Sequence, residues 1–200
     1  ITSSKALRST IQGHIAFKNV TFTYPDSGIR ALKEVSFEIA AGKTLALVGA
    51  TGAGKSTLAH LVCRLYDADT GIITIDGLPI QDYAVPYLRQ QLGYVPQDTF
   101  LFSDTVRNNI TWGQPGATPA QIAQAVQLSA LKESIQQWPH QLETEIGEKG
   151  VTLSGGQKQR LAIARALIHH PQILVLDDCL SAVDTQTEQR ILHAMRTYLQ

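Results

Sequence analysis

Gly49-Ala50-Thr51-Gly52-Ala53-Gly54-Lys55-Ser56-Thr57 is the stretch whose reading decides the fold. It fits the phosphate-binding pattern G-x-x-x-x-G-K-[ST]. Just before it, residues 44–48 form an apolar run that reads as a buried strand. Just after it, Leu58, Leu61, Val62, Leu65 and Tyr66 fall on one face of a helix. Strand, glycine loop and helix together turn a pattern match into a site. The glycines let backbone wrap closely around phosphate without Cβ clashes. The loop N–H groups and the helix start favour an anion. Lys55 is placed to reach the β and γ phosphates, and the Ser56 hydroxyl to ligate Mg²⁺.

A second anion-type helix start lies downstream. Leu153-Ser154-Gly155-Gly156-Gln157 leads into a helix with Leu161, Ala164, Leu167 and Ile168 on one side. Ser154 is a good N-cap, and two glycines beside it leave the backbone N–H groups open. Next comes the apolar run Ile173-Leu174-Val175-Leu176, expected as a central parallel strand covered on both faces. It ends in Asp177-Asp178, where α/β sheets place their ligands, and a phosphate loop needs an acidic Mg²⁺ partner. Thr185 and Glu188 predict a capping box for a last helix carrying Ile191, Leu192, Met195, Tyr198 and Leu199 on one face.

Upstream, Ile15 and Phe17, then Val20, Phe22 and Tyr24, alternate in two phases with a break at Lys18-Asn19. Val35, Phe37 and Ile39 alternate cleanly, as do Ile73 and Ile75 before Asp76-Gly77. These predict half-buried strands of a small antiparallel layer. Residues 90–95 are a further short strand candidate, and residues 104–138 turn helical, with Thr118-Pro119-Ala120-Gln121 a capping box. Residues 144–150 read as a loop. His169-His170 reads as exposed loop, since no third ligand is near in sequence.

The chain has 200 residues, enough for one domain with a subdomain, and a formal net charge of zero. That charge gives no sign of a broad nucleic-acid or anionic-membrane surface. Cys63 and Cys179 match no metal spacing and read as small buried side chains. No apolar run approaches the ~18 residues of a membrane span, so the chain is expected to be soluble by itself. The polar residues 1–13 read as a linker, and a start in mid-linker predicts a piece of something longer.

These residues together resemble the nucleotide-binding domain of an ATP-binding cassette (ABC) transporter, over nearly the whole chain. Gly49 to Ser56 matches Walker A, and LSGGQ at Leu153 to Gln157 matches the family signature in full. Ile173 to Asp177 matches Walker B, Gln97 the Q-loop, and Ser181-Ala182-Val183-Asp184 the D-loop. Tyr24 sits where the family stacks an aromatic ring on adenine. Residues 101–110 resemble the exporter segment after the Q-loop, and residues 144–150 the exporter X-loop, which touches transmembrane coupling helices.

The resemblance implies an α/β fold: a P-loop NTPase (RecA-like) core with an antiparallel β subdomain and a helical signature subdomain at about residues 98–155, truncated at its C-terminus. Residues 1–13 would be the linker from a membrane domain and 14–200 the nucleotide-binding domain. ATP would bind at Tyr24, Gly49, Ala50, Thr51, Gly52, Ala53, Gly54, Lys55, Ser56 and Thr57, with Mg²⁺ held by Ser56, Gln97 and Asp177. Lys55, Gln97 and Asp178 would be catalytic. Leu153, Ser154, Gly155, Gly156 and Gln157 would cover the ATP of a second nucleotide-binding domain in a head-to-tail homo- or heterodimer, with Ser181 and Asp184 in the D-loop. A transmembrane domain on the same full-length chain, at the cytoplasmic face of the cell membrane, would be the other partner; no nucleic acid is implied.

Two departures stand out. Asp178 occupies the position where the family carries Glu, and the switch histidine lies beyond Gln200; His193 is too early for it. Two readings therefore remain open: an ATPase engine of an exporter, or an ATP-binding regulatory half whose partner hydrolyses, as in the degenerate half of heterodimeric multidrug exporters. Soluble ABC proteins of DNA repair or translation are disfavoured by the X-loop-like segment and the neutral charge.

Overall fold

A computed structural model describes residues 10–147 and 151–198. Residues 1–9 of the expected linker, Glu148 to Gly150 of the X-loop-like segment, and Leu199 lie outside the described residues. The chain divides into two compact units, Ile1–Leu92 and Gly93–Gln200.

The first unit is built on an antiparallel sheet of order β2-β1-β3-β4, from β1 (Ile15–Thr23), β2 (Arg30–Ile39), β3 (Thr70–Ile75) and β4 (Leu78–Pro79). The two-phase alternation in β1 has a physical cause. One continuous strand carries a bulge between Phe17 and Val20, where Asn19 takes φ 49°. The extra residue flips the inward set from Ile15 and Phe17 to Val20 and Phe22, all buried. Phe17 stacks on Phe37 across the β1–β2 pair, with ring centroids 4.5 Å apart. Asp76 (φ 51°) and Gly77 (φ 78°) make the tight turn from β3 to β4. The Asp76 carboxylate also accepts the backbone N–H groups of Gln12 and His14.

Two expectations in this unit change. Residues 43–50 carry no regular secondary structure, and Leu45, Leu47 and Val48 are exposed. An apolar run becomes a strand only where neighbours take its N–H and C=O groups, and no ladder among the described residues pairs with this one. The helix after the glycine loop, α1 (Lys55–Val62), is also shorter than its apolar pattern. Arg64 takes the left-handed conformation (φ 48°), while its guanidinium donates to the carbonyls of Ile80 and Tyr83. The chain turns there, and Leu65 is left exposed. A short helix that the apolar pattern does not announce, α2 (Val85–Gln90), begins with proline in its first turn.

The second unit pairs β5 (Leu92–Val95) with β6 (Ile173–Leu176) in a two-stranded sheet. The expectation of a central strand covered on both faces is not met at β6: Leu174, Val175 and Leu176 are half-buried, and β5 is its one ladder partner among the described residues. The helical stretch resolves into α3 (Val106–Ile110), α4 (Pro119–Leu128) and α5 (Lys132–Gln137), with the Thr118–Gln121 capping box formed. The long α6 (Gly155–Leu167) is central. One face, with Leu161, Ala164 and Ile168 just past its end, packs against α3, α4 and α5. The other, with Ala162, Ile163, Ala166 and Leu167, packs with Val95, Cys179, Ile191 and Met195. The last helix, α7 (Thr185–Tyr198), is capped by Asp184 rather than Thr185: the Asp184 carboxylate accepts the Thr187 N–H at 2.9 Å. The Asp184 carboxylate thus reaches the third helical amide, and a Thr185–Glu188 box would need the helix to start one residue later. Among the described residues no helix is long and apolar enough to cross a membrane.

Gly71 and Gly28 separate two costs of left-handed backbone. A Cβ at Gly71 (φ 84°) would lie 2.4 Å from the Asn19 carbonyl oxygen inside the bulge, whereas one at Gly28 (φ 69°) would meet nothing within 4 Å. Gly71→Ala should therefore lose roughly 2–4 kcal/mol in urea denaturation, and Gly28→Ala only about 1 kcal/mol. Equal losses would show that the bulge does not need the glycine.

Candidate functional site

The expected site residues divide between the two units. In the first, residues 49–54 form a loop closed by a hydrogen bond from the Ala53 N–H to the Ala50 carbonyl. Gly54 (φ 88°) is the N-cap of α1. A Cβ there would lie 2.7 Å from the Ala31 carbonyl oxygen of β2, so this glycine is required by the sheet as well as by any ligand. The Lys55 ammonium donates to the carbonyls of Gly49 (2.8 Å) and Ala50 (2.9 Å), which holds its charge over the mouth of the loop. Ser56 follows in the first turn of α1, half-buried, and Thr57 is buried.

Tyr24 stands just past β1, half-buried. Its backbone closes the 24–29 turn through hydrogen bonds with Ile29 and Gly28. Its ring is held edgewise by two others, Phe22 (centroids 5.0 Å, 80°) and Tyr66 (5.4 Å, 87°). Its hydroxyl shares a 3.0 Å hydrogen bond with Thr57 Oγ1. The aromatic platform and the first turn of the phosphate-loop helix are thus tied together within one unit.

In the second unit, Asp177 follows β6, and its backbone N–H donates to the Val95 carbonyl. Asp178 is exposed and left-handed (φ 47°), and its Oδ2 accepts from Gln97 Nε2 at 3.2 Å. These two residues, 81 positions apart, are the pair of expected catalytic groups that this unit brings together. Ser154 caps α6 in a full capping box with Gln157, and Ser154 and Gly155 are exposed. Leu153 is buried beneath them. The expected D-loop runs along the same helix start: Ser181 Oγ donates to the Asp178 carbonyl, and Asp184 caps α7. The hydrogen bond from the Thr187 amide holds the Asp184 carboxyl below its usual range.

Gly156, expected to cover a partner's phosphate, has a task within its own chain. A Cβ there would lie 2.7 Å from the Ala182 carbonyl oxygen of the same chain. The glycine is needed at home, so its loss cannot by itself report on a partner. Three polar residues of α6, Gln159, Arg160 and Arg165, carry structural weight that their place in the sequence does not signal. Arg160 donates to the Ala130 carbonyl and Ser134 Oγ, anchoring α6 to the α4–α5 turn. Arg165 donates to the carbonyls of Asn109 and Phe100 and to Asn109 Oδ1, and its guanidinium lies 5.5 Å over the Phe102 ring. The adjoining residues 103–106 are bonded to 144–147 through Thr144, Asp104 and Ile146. Polar residues inside an otherwise amphipathic helix give no periodic signal, so nothing in the pattern distinguishes them from a solvated face. Cys63 and Cys179 are both buried, and burial pushes each thiol up to about 12, so both stay protonated at neutral pH.

Comparison with known proteins gives a consistent result. Residues 32–181 match the ABC transporter family. The chain is 49% identical over 188 residues to an uncharacterized ABC transporter ATP-binding protein, YfiB, of Bacillus subtilis, covering 94% of this chain and 33% of that protein. It is 48% identical over 186 residues to the ATP-dependent lipid A-core flippase of Photobacterium profundum, covering 92% and 32%. A solved structure of a bacterial Atm1-family ABC exporter with ATP bound superposes with a TM-score of 0.92 at 44% identity, over 100% of this chain and 35% of that one. The chain thus spans about a third of the length of the curated relatives it matches.

Two binding outcomes follow. Lys55→Ala should weaken ATP by about ten- to a hundredfold in calorimetric titration, from loss of a charge-assisted contact of roughly 1.5–3 kcal/mol; equal affinities would remove the phosphate-loop assignment. Tyr24→Ala should weaken ATP and GTP alike by about 1–3 kcal/mol, and Tyr24→Phe should keep most of the binding, because stacking uses the ring face. A loss on Tyr24→Phe as large as on Tyr24→Ala would assign the effect to the hydroxyl and its Thr57 bond.

Proposed function

This chain belongs to the ABC transporter family, and on that premise we propose that it is the ATP-binding and ATP-hydrolysing domain of an exporter, powering transport across a membrane. One observation carries the reading. A single chain holds two helix starts preceded by glycine-bearing turns of the kind that suit an anion: α1 behind the Gly49 to Ser56 loop, and α6 behind Leu153 to Gln157, with Ser154 and Gly155 exposed. ATP on the first would be covered by the second of another domain arranged head to tail. Closure on ATP and opening after hydrolysis would move attached membrane domains between two states. The remaining two-thirds of a relative's length is ample for such a membrane domain, which would hold this chain at the cytoplasmic face of the cell membrane. A neutral net charge does not favour a nucleic-acid role.

The residues suit the roles. Tyr24 offers an aromatic face to adenine, and the 49–57 loop offers N–H groups and the Lys55 charge to the phosphates. Ser56, Gln97 and Asp177 are oxygen donors, the hard set that Mg²⁺ takes. Because Gln97 Nε2 is turned to Asp178, its Oε1 is the atom available to a cation. Ser56, Gln97 and Asp177 would hold the cation, which would supply positive charge beside the phosphates. Asp178 would orient the attacking water and accept its proton.

Asp178 also supports the second reading, an ATP-binding half that serves as dimer glue beside a hydrolysing partner. Aspartate is one methylene shorter than glutamate, about 1.5 Å by a C–C bond, while a general base must come within about 2.6–3.2 Å of the proton it takes. A positioned base contributes about 10²–10⁴-fold, and its loss leaves affinity intact. In the full-length protein, Asp178→Glu should raise steady-state turnover at unchanged ATP affinity. Brisk hydrolysis by the parent, abolished by Asp178→Asn, would show instead that Asp178 reaches its water and that the site is an ordinary engine.

A further inference from the structure

Gln159 lies within α6, five residues after its cap, and only 7% of its surface is exposed. A buried primary amide is costly unless both of its ends are paired. Here both are, and to one short loop. Nε2 donates to Ser181 Oγ at 3.1 Å, and Oε1 accepts from the Ala182 N–H at 2.9 Å. Ser181 Oγ passes the chain on, donating to the Asp178 carbonyl at 3.1 Å. The backbones are pressed together at the same place. An added Cβ would lie 3.1 Å from Ala182 Cβ at position 155, and 2.7 Å from the Ala182 carbonyl oxygen at 156. Two independent features, an amide paired at both ends and a close glycine approach, thus act on Ser181 and Ala182. Ser154, Gly155, Ser181 and Ala182 are all exposed.

We propose that Gln159 is a positioning residue that fastens the loop 181–183 to the first turn of α6, so that the Ser154 to Gly156 turn and this loop meet a partner domain as one surface. Glutamine suits the task because it donates and accepts at a length that spans from the helix to the loop. Leucine fills the volume and pairs with neither group; glutamate can still accept from Ala182. The consequence for hydrolysis rests on the head-to-tail reading above, whereas the local fastening does not.

The test uses the full-length protein with Gln159→Leu and Gln159→Glu. Hydrogen exchange at the Ala182 amide should be about tenfold faster in Gln159→Leu and near the parent in Gln159→Glu. ATP affinity should stay within about twofold. Turnover should fall about tenfold in Gln159→Leu at unchanged KM, and Gln159→Glu should recover most of it. Parental exchange at Ala182 in Gln159→Leu would overturn the proposal, as would full turnover despite a loosened loop. If Gln159→Leu does not fold, Gln159→Met, of similar length and without an amide, removes both bonds and is read in the same way. A Lys55→Ala protein that binds and hydrolyses ATP like the parent, or a parent without turnover, would count against the proposed function, and the exchange comparison would still decide the fastening.

Discussion

Desolvated polar side chains on α6 are the constraint on which the second unit depends. Burial pushes the Arg160 and Arg165 guanidinium groups below their ordinary basicity, so each must be compensated by oxygen atoms at fixed positions. Arg165 takes its acceptors from residues 100 and 109 and Arg160 from 130 and 134, while Gln159 donates to Ser181 Oγ and accepts from the Ala182 N–H. One helix thereby fixes three separate segments, each by bonds that fail if the segment shifts by about an ångström. Apolar packing alone would tolerate such a shift far better. Asn109 shows the same logic from the other side: fully buried, it spends its amide on the carbonyls of Phe102 and Thr105 and its oxygen on the Phe102 N–H and Arg165.

Close backbone approach constrains the glycines in the same way. In sequence, the glycines at 54 and 156 belong to patterns explained by phosphate. In the structure, a Cβ at either would first strike a carbonyl of the same chain, at Ala31 and Ala182. A ligand motif can therefore be a packing motif as well, and a substitution there mixes the two effects. By contrast Gly52 (φ 82°) has open space around its missing Cβ, so only its backbone conformation is constrained at home.

What was legible in sequence was local. The bulge in β1 appeared as a phase break because side chains alternate strictly along a strand; the cap at Thr118 appeared because hydroxyl and glutamine sit three residues apart, and that at Ser154 because serine precedes the helix. The glycine loop, the signature turn and the acid pair were legible for the same reason, each being contiguous. What was hidden depended on distant partners. The end of α1 is set by Arg64 reaching carbonyls 16 and 19 residues away. The state of residues 44–48 depends on a ladder partner, and apolar character cannot say whether one is present. The choice of Asp184 over Thr185 as cap came down to one residue of phase, the scale at which boundary reading is weakest. Gln159 lies among polar neighbours Lys158 and Arg160, so nothing in the string marks it as buried.

The surroundings of Asp178 bear on whether its short side chain could be made good by backbone movement. Its carbonyl is tied by Ser181 Oγ, which is itself tied by Gln159. The preceding Asp177 N–H is bonded to Val95, and Cys179 beyond it is buried. With φ at 47°, Asp178 already sits in a small well that non-glycine residues occupy sparingly, aspartate among the more tolerant. Advancing its carboxylate by the length of a bond would mean leaving that well and breaking the Ser181 bond together. The Gln97 amide, exposed and bonded to the carboxylate alone in this network, is the partner with freedom to move. Whatever reach Asp178 has is therefore set by side-chain rotation and by Gln97. On the proposed function, the distinction between an engine and a nucleotide-holding half would come down to the rotamers of two side chains, Asp178 and Gln97.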